Sequence, residues 1–492
     1  MVDADVIVIG SGFSGIGAGI DLKKAGFDFL ILERENDIGG TWRDNQYPGI
    51  AVDITSFTYS YSFAQNPNWS RVFAKGNELF QYAQDCVDKY DIRENFRFNI
   101  DVEKASFNEQ NSTWTIFTKN GKTFTCNVII SATGALTDPK YPEIKGIDKF
   151  KGELVHTARW KQDIVLENKK VAVIGTGASS VQLVPTIAKK VKQLFVFQRT
   201  PIWIFPKPDA LIPELIKTIF KNVPISQRMV RQFTDTITEL VMVTGVVKYK
   251  QLPFIVNALE KACLQYLKKE VKDEKTREKL TPKYGFGCKR PSFSSTYFAT
   301  FNRKNVELVT ESIQEITANG IITSDGKERK IDVLVAATGF NVMKNSNYLN
   351  YKLYGKNKLE LGAFWGKNRL QAYQGCAVPN FPNFFIIFGP YSASGLSWFT
   401  MIEVQMMHIM RVLKEKRKRK AIQVEIKQEE HDKYFEYILK HQDNTVFYNN
   451  NCGTSNSYYF DKFGDAPFLR PLTVAESRKF SKKSDLNHYQ YQ

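Results

Sequence analysis

Two glycine turns 165 residues apart constrain this chain more than any other feature. The first, Gly10-Ser-Gly12-Phe-Ser-Gly15, follows the run Asp5–Ile9. A helical pattern then extends to about Gly26, and a second apolar run, Phe29–Leu32, closes on Glu33. Strand, glycine turn, helix, strand and acid in that order predict a dinucleotide fold. Gly10 permits the tight turn, Gly12 lets the backbone approach a pyrophosphate, and Gly15 lets helix and strand pack closely. The helix start offers amide donors and partial positive charge, and Glu33 can accept from a ribose hydroxyl pair.

The same grammar returns at Lys170–Ile174, Gly175-Thr-Gly177-Ala-Ser-Ser180, a helical stretch to about Lys190 and the run Leu194–Gln198. Here the acid is absent and Gln198-Arg199-Thr200 stands in its place. A cation and a hydroxyl accept the 2′-phosphate that a carboxylate repels, so this site predicts NADPH rather than NADH. Two such sites imply electrons passing from a nicotinamide to a group held in the first, most simply a flavin, and then onward. A redox dithiol is one acceptor, but the six cysteines lie far apart with no C-x-x-C. They are expected to be reduced and unpaired, with no zinc site, and oxygen becomes the acceptor to consider.

The predicted fold class is α/β, with two Rossmann-like dinucleotide-binding domains. The segments Ser131-Ala-Thr-Gly134 and Ala336-Ala-Thr-Gly339 each end an apolar run and are read as crossings between the domains. This gives a first domain over 1–137, a second over 138–337, and a return to the first over 338–492. Residues 205–285 interrupt the second domain with Lys-rich, proline-punctuated helical sequence, read as an inserted cap. Its apolar stripes, Leu211–Phe220 and Val241–Val247, are expected in a core, with weak peripheral membrane contact as the lesser reading. No run reaches the 18 apolar residues of a membrane span. The opening residues lack a basic, apolar, small-residue leader pattern, so a cytoplasmic location is expected.

Charge adds little to this. With 68 Lys+Arg against 51 Asp+Glu, the chain carries a net +17. Its densest run, Lys414–Lys420, follows the helical stretch Met401–Val412 and is read as a solvated cationic helix end rather than a nucleic-acid surface. The polar end, Lys479–Gln492, is expected to fray.

Further motifs carry a family resemblance. Gly39-Gly40-Thr-Trp42-Arg-Asp-Asn-Gln-Tyr47-Pro48-Gly49-Ile-Ala-Val-Asp53 fills every defined position of the pattern [A/G]-G-x-W-x4-[F/Y]-P-[G/M]-x3-D of the Baeyer-Villiger monooxygenases. Phe150-Lys-Gly152-Glu-Leu-Val-His156-Thr-Ala-Arg-Trp160-Lys161 resembles their second fingerprint, departing only at Lys161, and Trp160 favours them over the related N- or S-oxygenating flavin-containing monooxygenases. With Cys288-Lys289-Arg290-Pro291, the resemblance spans about Asp5–Leu472. It implies that NADPH reduces FAD, that oxygen adds to the flavin as a C4a-peroxyflavin, and that a ketone becomes an ester or lactone, with sulfoxidation as a side activity.

The resemblance also assigns roles to residues. Arg290 stabilises the developing negative charge and Asp53 pairs with it, making these two the catalytic candidates. Gly10, Gly12, Ser14, Gly15, Glu33, Thr41, Trp42, Asp53, Tyr59 and Val102 line the FAD. Gly175, Thr176, Gly177, Ala178, Ser179, Gln182, Arg199, Thr200 and Lys289 hold NADPH. His156 falls to a structural role between domains. Tyr458 stands where many relatives carry tryptophan. No metal is implied. The partners are a small ketone or sulfide and oxygen, in a monomer or homodimer, with a substrate pocket near Tyr391–Trp398 and the helical insert.

Overall fold

The computed structural model describes residues 2–342, 348–393 and 395–492. Ser394, inside the expected pocket segment, lies outside the described residues. The first glycine turn joins β1 (Ala4–Ile9) to α1 (Phe13–Lys24), which returns to β2 (Phe29–Leu32). β1 lies between β2 and β6 (Thr123–Ser131), parallel to both. Beyond β2 comes β3 (Phe96–Arg97). On the other side the antiparallel β5 (Thr113–Thr118) and β4 (Val102–Asn108) extend the sheet. Two late strands join it, Lys352–Tyr354 on β4 and Phe384–Ile386 on β6. The first sheet is thus completed by chain that returns after residue 338.

The second sheet is five parallel strands in the order β10, β9, β8, β11, β7: Val306–Val309, Gln193–Phe197, Lys170–Ile174, Val333–Ala336 and Glu153–His156. Its glycine turn links β8 to α2 (Ala178–Ile187). The central strands are buried on both faces, as a parallel sheet covered by helices requires.

The two repeated Ala-Thr-Gly segments have a shared physical reason. Gly10 has φ +106°, and a Cβ there would sit 2.6 Å from the Ala132 carbonyl oxygen; Gly175 has φ +109°, and its Cβ would sit 2.4 Å from that of Ala337. Each segment runs directly beneath the glycine turn of its own sheet, so both sides of the crossing must be slim.

Between the second sheet's strands lies helical sequence, including α3 (Glu214–Asn222), α4 (Pro224–Thr238) and the helix Pro253–Glu270. The expectation that its stripes form core holds in part. Val243 and Val247 are buried, but of the stripe Leu211–Phe220 only Ile212 and Phe220 are, whereas Leu211, Leu215, Ile216 and Ile219 face solvent. The reason is that α4 packs against the first sheet's domain through polar residues, leaving the apolar side of this helical pair outward.

Two other expectations are corrected. Cys288 and Cys452 are not reduced bystanders but form a disulfide across 164 residues, with Cα atoms 5.2 Å apart. Distant cysteines meet because Trp203, Phe286, Val446 and Phe447 collapse into one cluster around them. The C-terminal end does not fray: Tyr489–Tyr491 pairs with Val424–Ile426, and the buried Tyr489 hydroxyl lies 2.8 Å from His408 Nε2. Lys414–Lys420 ends the helix Trp398–Lys418 and is largely exposed, although Arg417 folds back over the Phe27 ring at 3.5 Å. Among the described residues no helix is long and apolar enough to cross a membrane.

Candidate active site

The first glycine turn forms one wall of a deep cleft. Gly10, Gly12, Ser14, Glu33, Thr41, Trp42, Tyr59 and Val102 all line it, together with Ser11, Arg43 and Trp398. Gly15 does not, because its place is structural: a Cβ there would fall 1.9 Å from the Gly10 carbonyl oxygen. Gly12 is the opposite case. The nearest atom to its added Cβ is Gly40 Cα, 3.9 Å away, so the space it faces belongs to no protein atom. Gly12 caps α1 without a side-chain acceptor, which leaves the first amides for an anion.

Glu33 ends β2 and is buried. Its Oε2 accepts from the Ser11 amide at 2.9 Å and the Ser11 hydroxyl at 2.5 Å, while Arg43 approaches Oε1 at 3.7 Å. On the opposite side, Trp42 Nε1 donates to the Tyr59 hydroxyl at 3.2 Å, and burial pushes that phenol well above its ordinary range. Trp398 Nε1 reaches Ser14 Oγ at 3.4 Å.

The second turn repeats this design. Gly177 has no heavy atom within 4 Å of an added Cβ and caps α2 without a side chain. The Thr176 hydroxyl donates to the Thr200 carbonyl at 2.8 Å, tying the turn to the end of β9, and Ala178 and Ser179 open α2. Arg199 and Lys289, 90 residues apart in sequence, come close enough that burial first and then the Arg199 charge lower the Lys289 ammonium below its usual value. Neither cation has a carboxylate partner among the described residues, which is the electrostatic setting a 2′-phosphate requires. Asn456 Nδ2 donates to Thr200 Oγ1 at 2.9 Å, bringing the C-terminal segment to this rim.

Gln182 is placed differently. Its Oε1 accepts from the Tyr47 hydroxyl at 2.9 Å and the Ala51 amide at 3.3 Å, and its Nε2 donates to the Ala51 carbonyl at 2.8 Å. The amide is engaged at both ends in fastening α2 to the Tyr47–Asp53 loop. Gly49 in that loop, φ +88°, leaves room for Gln182 and Thr186 to approach.

Where the two halves meet, Arg290 and Asp53 form a two-pronged ion pair: Nε to Oδ2 at 3.1 Å and Nη2 to Oδ1 and Oδ2 at 2.9 Å. The Asp53 charge raises the guanidinium further above its ordinary range, outweighing burial. Tyr59 on the cleft wall feels both charges, and Tyr458 and Tyr459 act on Arg290 from the C-terminal segment. Tyr458 is 40% exposed and packs edge-on against Tyr459 and Phe468. Lys207 Nζ donates to the Val52 carbonyl at 2.7 Å, beside Asp53.

His156 lies apart from this pair, fully buried, with Nδ1 accepting from the Ala158 amide at 3.1 Å and its backbone in register with Ala336. Lys161 lies 3.6 Å from Glu153. Sequence reasoning overlooked Arg43, Asn456 and Lys207, and named Trp398 only as the end of the expected pocket segment. Arg43 falls at an undefined position inside a quoted motif, whereas Asn456 and Lys207 carry no local signal.

Two dinucleotide turns, one in each sheet's fold and each with room at its middle glycine, define an oxidoreductase of the two-dinucleotide-fold class. The family model of pyridine nucleotide-disulphide oxidoreductases matches residues 7–252. Over 456 residues, 92% of this chain and 85% of the relative, the sequence is 36% identical to a Baeyer-Villiger monooxygenase of Pseudomonas aeruginosa. It is 35% identical to one from Streptomyces coelicolor over 99% of this chain and 92% of that protein. Among solved structures, OTEMO in complex with FAD and NADP superposes with a TM-score of 0.88 at 27% identity, covering 100% of both chains. An oxidised steroid monooxygenase bound to NADP gives 0.88 at 27% identity over 99% of each. The chain belongs to the Baeyer-Villiger monooxygenases.

Proposed function

We propose that this protein holds FAD in the first cleft and NADPH against the second turn, and uses oxygen to convert a ketone to an ester or lactone, with sulfides as secondary substrates. The domain limits follow: 1–137 and 338–492 for FAD, 138–337 for NADPH with the helical insert at about 205–285.

The Arg290–Asp53 pair at the junction carries the reading. Bound at these two turns, NADPH and FAD would together supply the two electrons that reduce oxygen. The protein's own part is binding and charge. The Gly10–Gly12 turn and the uncapped start of α1 receive a diphosphate. Glu33, already oriented by Ser11, accepts from ribose hydroxyls. Arg199, Lys289 and Thr200 meet the 2′-phosphate. Arg290 cannot lose its proton in the working pH range, and Asp53 occupies only part of its five-donor fork, leaving N–H groups for oxygen atoms that gain negative charge as the carbonyl is attacked. Trp42, Tyr59 and Trp398 give the first cleft an aromatic wall, while the Arg290 side chain itself stays 39% exposed.

The disulfide reductase alternative suits this geometry poorly. Cys288 and Cys452 sit in an apolar cluster with Trp203 and Phe447 and do not line the first cleft. The test is product analysis with purified holoenzyme, NADPH, oxygen and linear, cyclic, aryl and steroid ketones. Ester or lactone matched to NADPH consumption is expected. NADPH consumption yielding only hydrogen peroxide across the panel would overturn the reading.

A further inference from the structure

The helix α4 is inside out. Its buried face is polar: Gln227 donates to the Asn66 carbonyl at 2.7 Å, Arg231 donates to the carbonyls of Ser60 at 2.7 Å and Phe57 at 3.1 Å, and Asp235 accepts from the Thr58 hydroxyl at 2.6 Å. Its outer face is an i, i+4 row of apolar side chains: Ile225, Met229, Phe233 and Ile237, with Met229 and Phe233 each 66% exposed. α3, packed beside it, turns out Leu215, which is 70% exposed. A water-soluble helix normally has the reverse arrangement. Contiguous exposed apolar surface of this kind marks an interaction site.

The charges around the row decide what it meets. On α3 and α4 themselves, Lys221 and Arg228 are exposed, against a single exposed acid, Glu214, which is paired with Lys217. A two-fold contact with a second copy would set this cationic surround against itself, in a chain that already carries +17. An anionic bilayer satisfies both features at once. The apolar row enters the headgroup and acyl boundary while the long Lys and Arg side chains reach phosphates.

We infer that the α3–α4 face docks this protein on anionic lipid membranes. The inner side of α4 grips Phe57–Ser60, and Tyr59 in that segment lines the first cleft, so docking sets the cleft wall directly behind the membrane-facing helix. The inference goes beyond the proposed reaction and does not depend on it.

The test is co-sedimentation of the full FAD-loaded protein with phosphatidylcholine vesicles, with and without about one-third phosphatidylglycerol. The wild-type protein is expected to bind the anionic vesicles, less as salt rises. Met229→Glu/Phe233→Glu should reduce partitioning at least about tenfold. Lys221→Glu/Arg228→Glu, which keeps the apolar row intact, should do the same. All of these positions are solvent-facing, so FAD content and NADPH consumption with a water-soluble ketone should stay at wild-type levels. Absence of binding, equal binding to neutral and anionic vesicles, or binding that survives both variants would overturn the inference. So would a wild-type dimer that the Met229→Glu/Phe233→Glu variant splits into monomers, because the face would then belong to a second copy.

Discussion

Arg290 and Asp53, 237 residues apart in sequence, meet through three N–H···O contacts of 2.9–3.1 Å at the junction of the two dinucleotide folds. The carboxylate both fixes the direction of the guanidinium and raises its pKa, so the group stays charged. Position and charge can be separated by mutation. Arg290→Ala removes both, and FAD reduction by NADPH is expected to proceed while ester formation falls by about 100-fold or more, the scale of losing a preorganised charge donor. Asp53→Asn keeps a hydrogen-bond partner but loses the ionic clamp, and should give a smaller fall with more hydrogen peroxide per NADPH. Stopped-flow reduction alongside product quantitation checks both, and ester formed by Arg290→Ala at the wild-type rate would remove the role assigned to it.

The glycines of the two turns separate folding from binding. Gly15→Ala forces a Cβ to within 1.9 Å of the Gly10 carbonyl oxygen and should destabilise the protein by at least about 1–3 kcal/mol. Gly177→Ala meets no protein atom within 4 Å, so thermal stability without nucleotide should be unchanged while the KM for NADPH rises about tenfold, roughly 1.4 kcal/mol. Thermal unfolding and steady-state kinetics on the same preparations distinguish the two outcomes.

Both folds were legible because strand periodicity, glycine spacing and the residue closing the second strand are local signals. Even the repeated Ala-Thr-Gly segments were visible as a pair, although their reason, a carbonyl beneath Gly10 and another beneath Gly175, is a tertiary fact. The Arg290–Asp53 pair could be anticipated only through the family resemblance, since nothing local joins a loop Arg to an Asp so far away. The Cys288–Cys452 bond and the Asn456–Thr200 contact had no sequence signal, because both depend on how the C-terminal segment folds back. The outward apolar stripe of α3, expected in a core, was misread for a different reason. Periodicity shows that a helix has an apolar side but not which way that side points, and here buried hydrogen bonds from Gln227, Arg231 and Asp235 of α4 decide the orientation of the pair.

Arg199 and Lys289 form a cationic pair without a carboxylate partner among the described residues, so removing either should cost affinity for the 2′-phosphate specifically. A charged hydrogen bond contributes about 1.5–3 kcal/mol, which predicts a 10- to 100-fold loss of NADPH preference over NADH in Arg199→Ala. The Lys289 ammonium should gain from the same change, because the neighbouring charge that helps lower its pKa is gone. Kinetics with both nucleotides settle the point. An unchanged preference would mean that the 2′-phosphate binds elsewhere.

The Cys288–Cys452 bond closes a long loop and ends one residue before Lys289. Cys452→Ser should lower stability by about 2–5 kcal/mol. It should also loosen the segment that carries Lys289 and Arg290, seen as a higher KM for NADPH and more peroxide per NADPH consumed. Unfolding with and without dithiothreitol provides the control: the reductant should shift the wild-type midpoint towards that of the variant and leave the variant unmoved.

Asp21, half-buried on α1, gives stability a pH dependence that can be isolated. Burial raises its carboxyl from the ordinary 3.8 to about 6, with Glu403 adding to the rise and Lys24 and Lys414 opposing it. A raised acid means that the folded state binds its proton more tightly than the unfolded chain does. The favourable contribution is therefore complete below about pH 4, is lost as pH climbs through about 6, and stays lost above. Asp21→Asn mimics the protonated side chain at every pH. Wild type and variant should be equally stable near pH 4 and diverge between pH 4 and 6, with the variant ahead at pH 7 by on the order of 2 kcal/mol. Using the difference between the two proteins cancels the acid sensitivity of every other group. Chemical denaturation across that range measures it, and a difference that does not change with pH would show that Asp21 is already ionised at no cost in the folded protein.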